Sequence, residues 1–205
     1  MRKLSIASAL TSLGLLIGTA SAAEARLIEP PADGCPDATL EQPFTPWSDH
    51  NHYALVPDGG FESGARGWAR SRAEVVARNQ TLRPRTSRDA HSLAIRPGGR
   101  ALSPAVCVSV GHPTIRFFAR NTGSPLGMLA VEVVTRTSAG LTVSLPIGVL
   151  IQASRRWTPA YAMPLIVNLL ALNRDDAGIA LRFRAVGPLS SWEIDDVYVD
   201  PYSKR

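Results

Sequence analysis

The chain of 205 residues has little aromatic surface and few histidines. Aromatic residues make up 6% of the sequence, a small supply for a protein that recognises a ligand by stacking on flat rings. Its four histidines are His50, His52, His91 and His112. His91 and His112 have no serine or cysteine signature near them, so the sequence offers no catalytic triad. His50 and His52 could share one side of a strand, but two ligands are too few for zinc or copper. A surface loop is the better interpretation of that pair, and the absence of a triad argues against an enzyme.

The sequence also lacks an apolar run that could cross a bilayer after its first 22 residues. The run PLIVNLLAL has only nine residues, whereas a spanning helix needs about 20. Residues 1–22 combine Arg2 and Lys3 with a modestly apolar run and the small residues Ala20-Ser21-Ala22, as in a cleaved secretory signal. An uncleaved anchor is the alternative, but the serines, threonines and glycines of the run weaken it. We predict a secreted or envelope-associated protein.

Cysteine is equally scarce, with Cys35 and Cys107 as the two examples. An even number in an exported chain favours a disulfide. A catalytic or metal-binding thiol is the alternative, but no Cys-x-x-Cys or Cys/His spacing supports it. A bridge would close a loop of about 70 residues and stabilise the fold by roughly 4 kcal/mol in the chain-entropy model. We predict that it ties an extended leader, residues 23–52, to the domain that follows.

From residue 53 to residue 205 the sequence alternates short β-like runs with turn signals. Segments such as RAEVVAR, TIRFFARN, LAVEVVTR and WEIDDVYV alternate apolar with polar or small residues. Glycine, proline and asparagine clusters separate them. The run YAMPLIVNLLALN could be a short helix, but its proline and β-branched residues favour a strand. About eight to ten strands at this spacing predict an all-β, two-sheet sandwich.

Three segments resemble carbohydrate-binding modules of the galactose-binding-like jelly-roll type, especially those attached to xylanases and laminarinases. They are GGFESGARGW near the start of the sandwich, DAHSLAIRPGG, and WEIDDVYV in the last strand. The resemblance covers roughly residues 57–200 and implies a single jelly-roll β-sandwich with a non-catalytic binding function. The whole chain also resembles a group of exported actinobacterial proteins, through PF-x-x-W, SPAVCV, RFFARNTG and IDDVYVDP. That second likeness implies export and no particular activity.

The same resemblance implies a structural calcium ion. In such modules the glutamate of the first motif and an aspartate of the last strand bind the ion, together with groups from the loop before the Ser-Leu strand. The resemblance implies that the ligands in this sequence are Glu62, Asp89, the carbonyl of Ser92, and Asp195 or Asp196. Calcium takes six to eight oxygen ligands, and it would offset the cost of gathering acids at a strand edge.

The residues themselves leave an alternative for these acids, which is pairing with arginine. Strand alternation predicts that Asp195 turns toward the core with Val197 and Val199, while Asp196 turns outward. An acid on either face would need a cation near it. The candidate partners are Arg116, Arg182 and Arg184.

Sugar recognition would require exposed aromatic side chains. Two pairs are candidates: Trp157 with Tyr161, which lie between predicted strands, and Trp47 with Tyr53, which lie in or beside the leader. The other two tryptophans belong to the fold motifs, where packing in the core is favoured. Exposure beside a groove would favour a sugar site, and burial of both pairs would favour a protein without one.

Arginine is abundant in one part of the chain. Nine arginines lie between residues 66 and 100, against two acids, Glu74 and Asp89. Such a surface could attract acidic polysaccharide, teichoic acid or anionic lipid headgroups, although it could also be an ordinary solvated surface. Nucleic acid is disfavoured by export and by the absence of interleaved aromatics. The arginines expected to select charge are Arg66, Arg70, Arg72, Arg83, Arg85 and Arg88.

The sequence therefore leaves two functions open. The first is an exported, non-catalytic module that binds polysaccharide of the cell envelope or the environment, with a preference for acidic polymers. The second is a structural or protein-interaction component of the envelope without a sugar site. A glycosidase using Glu62 with Asp195 or Asp196 is disfavoured, because the resemblance places those acids at a metal ion.

Overall fold

The computed structural model describes residues 38–108, 113–136, 141–151, 155–165 and 177–200. These residues form strands and one short 3-10 turn, η1 (Thr45–Trp47), and none of them lies in a helix long and apolar enough to span a membrane. The strands are β1 (Leu40–Glu41), β2 (Tyr53–Leu55), β3 (Ala69–Val76), β4 (Ser92–Leu102), β5 (Val106–Val108), β6 (Thr114–Asn121), β7 (Met128–Arg136), β8 (Thr142–Ile151), β9 (Thr158–Pro159), β10 (Met163–Pro164), β11 (Ala177–Val186) and β12 (Trp192–Asp200).

The strands pair antiparallel in one continuous sheet that folds over a core as two layers. The path runs β1-β2-β12-β4-β11-β7-β8, with β6 on the other edge of β12 and β3 on the other edge of β4. Strand β4 belongs to both layers, because residues 93–95 pair with β12 and residues 100–102 pair with β11. The change of partner occurs around Pro97-Gly98, where Gly98 has a φ of 70° that suits glycine.

Alternating apolar side chains from the two layers meet in the main core. Phe117 of β6 and Phe183 of β11 belong to strands that do not pair, yet their ring centroids lie 5.1 Å apart in a T-shaped contact. Trp68 stacks on Phe183 at 6.1 Å and donates its indole N–H to the carbonyl of Pro57. Trp192 is fully buried and donates its indole N–H to Ser190 Oγ. The predictions of a sandwich, and of core positions for these two tryptophans, are confirmed.

A second aromatic cluster covers the outer face of β6 and β12. It contains Phe44, Tyr53, Phe118, Trp157 and Tyr198. Phe44 comes from the leader and stacks on Phe118 with a centroid distance of 5.3 Å. Strand β12 has this cluster on one face and the main core on the other, so every residue of β12 is buried. Residues 40–47 are thus packed against the sandwich as part of the fold.

A β-bulge in β12 corrects the predicted parity of the two aspartates. Asp195 pairs with Phe118, but the register shifts before Tyr198, and Asp196 has a φ of 45°. The extra residue lets Ile194 and Val197 both face the main core, so Asp195 does not share a face with Val197. Asp196 is not exposed to solvent either, because both aspartates are only 1% exposed.

The predicted disulfide involves one residue outside the described part of the chain. Cys107 lies in β5, where it pairs with Gly178 of β11. Cys35 lies outside the described residues, as does the predicted signal segment. The bridge between the two cysteines therefore stays a prediction.

Candidate functional site

The bulge places Asp195 and Asp196 beneath the loop formed by residues 77–91, where Gln80 binds both of them. The backbone N–H of Gln80 donates to Asp195 Oδ2 at 3.2 Å, and its side-chain Nε2 donates to Asp196 Oδ2 at 3.1 Å. The Oε1 of Gln80 accepts the backbone N–H groups of Leu82 and Arg83 at 2.6 and 2.7 Å. Gln80 is itself buried, so it joins the loop to the bulge. The sequence gives no signal for this role, because a glutamine among turn residues is ordinarily exposed.

Arg85 reaches from the same loop toward the bulge. Its Nη1 lies 3.5 Å from Asp196 Oδ1 and 3.6 Å from Asp89 Oδ2. Gly60 leaves the space for this nitrogen, since a Cβ at that position would lie 2.5 Å from Nη1. The Arg85 side chain is 26% exposed. Its guanidinium group therefore lies between two acids, with one side open to solvent.

Glu62 is bound by the chain just before β4. Its Oε1 accepts the backbone N–H groups of Ala90 and His91 at 2.8 and 2.9 Å, and its Oε2 lies 2.9 Å from His91 Nδ1. Burial raises the pKa of Glu62, but the hydrogen bonds from His91 and the backbone outweigh burial and lower the pKa overall. Glu62 therefore fixes the end of the loop of residues 77–91.

The electrostatics of the site reflect the burial of several like charges. Burial raises the pKa of Asp195, and the neighbouring charge of Asp196 raises it further. Burial also raises the pKa of Asp196, while the positive charge of Arg85 opposes that rise. Burial raises the pKa of Asp89 as well, and the positive charge of Arg85 again opposes the rise. Arg85 is thus the nearby charge that favours the ionised form of two of these acids.

The residues expected to bind calcium lie around this one end of the sandwich, but they do not form a ready oxygen cage. Among the described residues, no group of three or more acids, histidines or cysteines is placed to hold a metal ion. The oxygens of Glu62, Asp195 and Asp196 are engaged by protein donors, as given above. Asp89 Oδ2 is buried without a hydrogen bond, and the Ser92 hydroxyl is likewise unsatisfied. Those two atoms are too few for six to eight ligands, so the donors in this arrangement do not fit the calcium ion that the resemblance implies.

An arginine does pair with an acid of the bulge, but it is none of the three arginines that the sequence suggested. Arg116 donates to Asp49 Oδ2 at 2.6 Å, and Arg182 and Arg184 form ion pairs with Glu132. The arginine that pairs with the bulge is Arg85, which the sequence placed on a binding surface instead. These pairings depend on which strands are neighbours, and the sequence alone does not supply that information.

The four candidate aromatic residues are not exposed as pairs. Tyr53 is fully buried, and Trp157 is 6% exposed, beneath the guanidinium group of Arg120 at 5.0 Å from its ring centroid. Trp47 is half-buried and packs its edge against Phe118. Tyr161 is 51% exposed, and its hydroxyl accepts the backbone N–H of Val149 in β8. The fold therefore gives Trp157 and Tyr53 no open face for stacking on a sugar ring.

All six arginines expected to select charge are exposed residues, but the side chain of Arg85 is only 26% exposed and turns inward to Asp196 and Asp89, which leaves five that face solvent. None of the five has an ion pair with a described residue. By contrast, two other arginines of residues 66–100 do form ion pairs. Arg78 pairs with Glu193, and Arg96 pairs with Glu74. The exposed five are called the arginine surface below. They are Arg66, Arg70, Arg72, Arg83 and Arg88.

No protein-family model matches the chain, and no curated protein matches its sequence. Solved structures do match its fold. One is the CBM22-1 xylan-binding domain of Xyn10C from Paenibacillus barcinonensis, at 12% identity and a TM-score of 0.50, covering 71% of this chain and 94% of that chain. Another contains the CBM22-1-GH10 modules of Clostridium thermocellum xylanase 10B complexed with xylohexaose, at 12% identity and a TM-score of 0.55, covering 73% and 29%.

A third match is the C-terminal CBM6 of LamC, a marine laminarinase of Zobellia galactanivorans, at 12% identity and a TM-score of 0.43, covering 67% and 95%. The two xylanase matches define a class of fold, the jelly-roll of carbohydrate-binding modules. The predicted fold class is confirmed. Within that class, the two matches with a TM-score of at least 0.50 are modules of xylanases. An identity of 12% extends this likeness to the fold alone.

Proposed function

We propose that the protein is an exported, non-catalytic module that binds acidic polysaccharide through the arginine surface. The observation that carries the proposal is the exposure of these five arginines on a jelly-roll fold, without ion pairs to the described residues. A guanidinium group presents a planar fork that matches the two oxygens of a carboxylate. Uronate-containing polymers repeat such carboxylates along one chain, so several arginines can bind one molecule at once.

The placement of the arginines supports a polymer rather than a small ligand. Arg70 and Arg72 lie on β3, which is paired on one edge only within the described sheet. Arg66 lies in the loop before this strand, and Arg83 and Arg88 lie in the loop after it. The positive charge therefore follows a strand and its two flanking loops. An extended anionic chain is the kind of ligand that such an elongated surface suits.

The proposal of a non-catalytic role rests on what the acids do inside the protein. Asp195 and Asp196 are buried and engaged by Gln80, so neither reaches a substrate bound at the surface. Glu62 is held by Ala90 and His91. An acid–base pair for glycoside hydrolysis requires two carboxyl groups that face one open cleft. These three do not provide it.

Charge, rather than stacking, would dominate recognition in this chain. One structural neighbour is described as a xylan-binding domain, and neutral sugars are commonly held by exposed aromatic rings. Here Tyr53 and Trp157 are buried instead. We therefore expect a preference for acidic over neutral polymers, and an affinity that falls as salt rises because exposed charges are screened.

The experiment compares binding of the mature protein to polygalacturonate and to neutral xylan, at low and at near-physiological salt. We expect binding to polygalacturonate that weakens with salt. In the variant Arg70→Ala/Arg72→Ala this affinity should fall roughly tenfold, since an exposed ion pair contributes up to about 1 kcal/mol. The variant Arg155→Ala/Arg156→Ala loses the same charge elsewhere and should bind as the wild type does. Salt-independent binding to neutral xylan would contradict the proposal.

A second function is favoured by the burial of the aromatic candidates. The protein would then be an interaction component of the cell envelope that uses the jelly-roll without a sugar site. Burial of Trp157 and Tyr53 removes two of the four side chains that a sugar site would use. Failure to bind any polymer in the experiment above would favour this function over the first.

A further inference from the structure

Three carboxylates lie together at the bulge end of the sandwich and are called the acid cluster below: Asp89, Asp195 and Asp196. The two residues of the bulge are 1% exposed, so water does little to stabilise their charge. Burying like charges side by side is costly unless a cation or a set of hydrogen-bond donors offsets them. The compensation must come from the chain, from a bound ion, or from protonation of an acid, which is the direction in which burial shifts the pKa of Asp195.

The chain itself supplies most of the donors. Asp195 accepts the backbone N–H of Gln80 at Oδ2 and the backbone N–H of Asp196 at Oδ1. Asp196 accepts Gln80 Nε2 at one oxygen and faces Arg85 Nη1 with the other. All four oxygens of these two aspartates thus meet a donor from the chain. Neither residue is left with a carboxylate oxygen turned toward an empty position.

Asp89 has fewer donors than the two aspartates of the bulge, so its charge is offset mainly by Arg85. Its Oδ2 is buried and has no hydrogen bond among the described residues. The nearest cationic group is Arg85 Nη1, at 3.6 Å. The same nitrogen lies 3.5 Å from Asp196, so one guanidinium group serves acids from the loop and from the bulge.

Gly60 makes this position available to a side chain of that size. A Cβ on residue 60 would lie 2.5 Å from Arg85 Nη1 and 3.1 Å from Asp196 Oδ1. Both distances are shorter than ordinary van der Waals contact. Any larger residue at position 60 would therefore move the guanidinium group away from the acids. The position is built by three separate segments of the chain: the loop at Gly60, the loop at Arg85 and the bulge.

We propose that the guanidinium group of Arg85 is the resident cation of the acid cluster, in the place where a divalent metal ion would otherwise be required. The wild-type fold then stands without a metal ion. Removal of Arg85 leaves Asp89 and Asp196 with an uncompensated charge and opens the position between them to a divalent cation. Arg85 has this internal role instead of contributing to the arginine surface.

The experiment measures the melting temperature of the mature protein with a chelator and with millimolar calcium. We expect the wild-type melting temperature to be the same in both. Arg85→Ala should melt several degrees lower in chelator, because it leaves buried acids without their cation. Calcium should then raise its melting temperature, since an ion that binds only the native state stabilises it by mass action. Arg88→Ala removes an exposed arginine from the same loop and should match the wild type.

A second variant keeps the proposal open to refutation if Arg85→Ala does not fold. Asp196→Asn removes one of the two acids that face Arg85, so Arg85→Ala/Asp196→Asn should be recovered more readily than Arg85→Ala alone. It should also show no response to calcium. The wild-type measurement needs no variant at all. A wild-type melting temperature that falls in chelator and returns with calcium would overturn the proposal, and so would an Arg85→Ala variant as stable as Arg88→Ala.

Discussion

At the scale of single residues, Asp49 is a half-buried acid held by two side-chain donors. Its Oδ2 accepts Arg116 Nη1 at 2.6 Å and the Tyr53 hydroxyl at 2.7 Å. Arg116 is itself fixed, since its Nε donates to the carbonyl of Ala160 and its guanidinium group lies 4.3 Å from the ring centroid of Phe44. Burial raises the pKa of Asp49, but the hydrogen bonds from Tyr53 and Arg116 outweigh burial and lower the pKa below its ordinary value of 3.8.

This lowered pKa predicts a stability contribution that is lost in acid. The folded protein holds the ionised form of Asp49 more strongly than the unfolded chain does, so the contribution is fully present above 3.8. It disappears as the pH falls through the lower, folded-state pKa. Asp49→Asn should therefore be less stable than the wild type near neutral pH, and the difference should shrink below about pH 4.

The measurement is the free energy of unfolding by urea across that pH range. Glu74→Gln is a suitable control, because the Glu74–Arg96 pair is exposed on the surface and such pairs contribute little. Its difference from the wild type should stay small at every pH. A constant difference between Asp49→Asn and the wild type down to the lowest pH would contradict the assignment.

At the scale of elements, the described part of the leader, residues 38–52, adds a layer on β6 and β12. Phe44 is fully buried, stacks on Phe118 at 5.3 Å and meets Tyr53 edge-on at 5.1 Å. Removing a buried phenylalanine side chain costs the transfer free energy of its ring and leaves a cavity. The leader is therefore expected to contribute to the stability of the whole domain.

We expect Phe44→Ala to lower the free energy of unfolding by about 3–5 kcal/mol. Urea denaturation measures this loss. Leu40→Ala provides the comparison, because Leu40 lies in the same leader at the exposed strand β1 and should cost much less. Equal, small effects from both variants would mean that the leader is not packed as described.

The elements themselves follow well from alternation in the sequence. TIRFFARN corresponds to β6 residue for residue, and LAVEVVTR and WEIDDVYV lie within β7 and β12. Local alternation suffices to locate these strands, because each has at least one face in a core. The bulge could not be predicted in this way. One extra residue exchanges the faces to which the following side chains point, and the apolar/polar pattern of the sequence does not show it. The roles of Gln80 and Arg85 could not be predicted either, because their partners lie 116 and 111 residues away along the chain.

At the scale of the whole molecule, the two layers and the leader are joined at several points. Residues 40–55 pack on the layer that contains β6 and β12, whereas Cys107 lies in β5 beside β11 of the other layer. A Cys35–Cys107 bridge would therefore connect the leader to both layers. In the chain-entropy model such a bridge stabilises the fold by roughly 4 kcal/mol.

Peptide mapping by mass spectrometry without reduction should find Cys35 linked to Cys107 in the exported protein. Cys107→Ser should lower the free energy of unfolding by a few kcal/mol, and Cys35→Ser should cost a similar amount. The double variant should cost little more than either single variant, because both remove the same bond. Two free thiols in the exported protein would rule the bridge out.

The shared strand β4 has a further consequence for how the molecule opens. Its first half pairs with β12 and its second half with β11, so neither layer can separate without breaking β4. We therefore expect partial opening to be confined to the periphery, such as β1 and the loop ends. The amide hydrogens of β4 then exchange with solvent only when the whole domain unfolds, and the two layers melt as one cooperative unit.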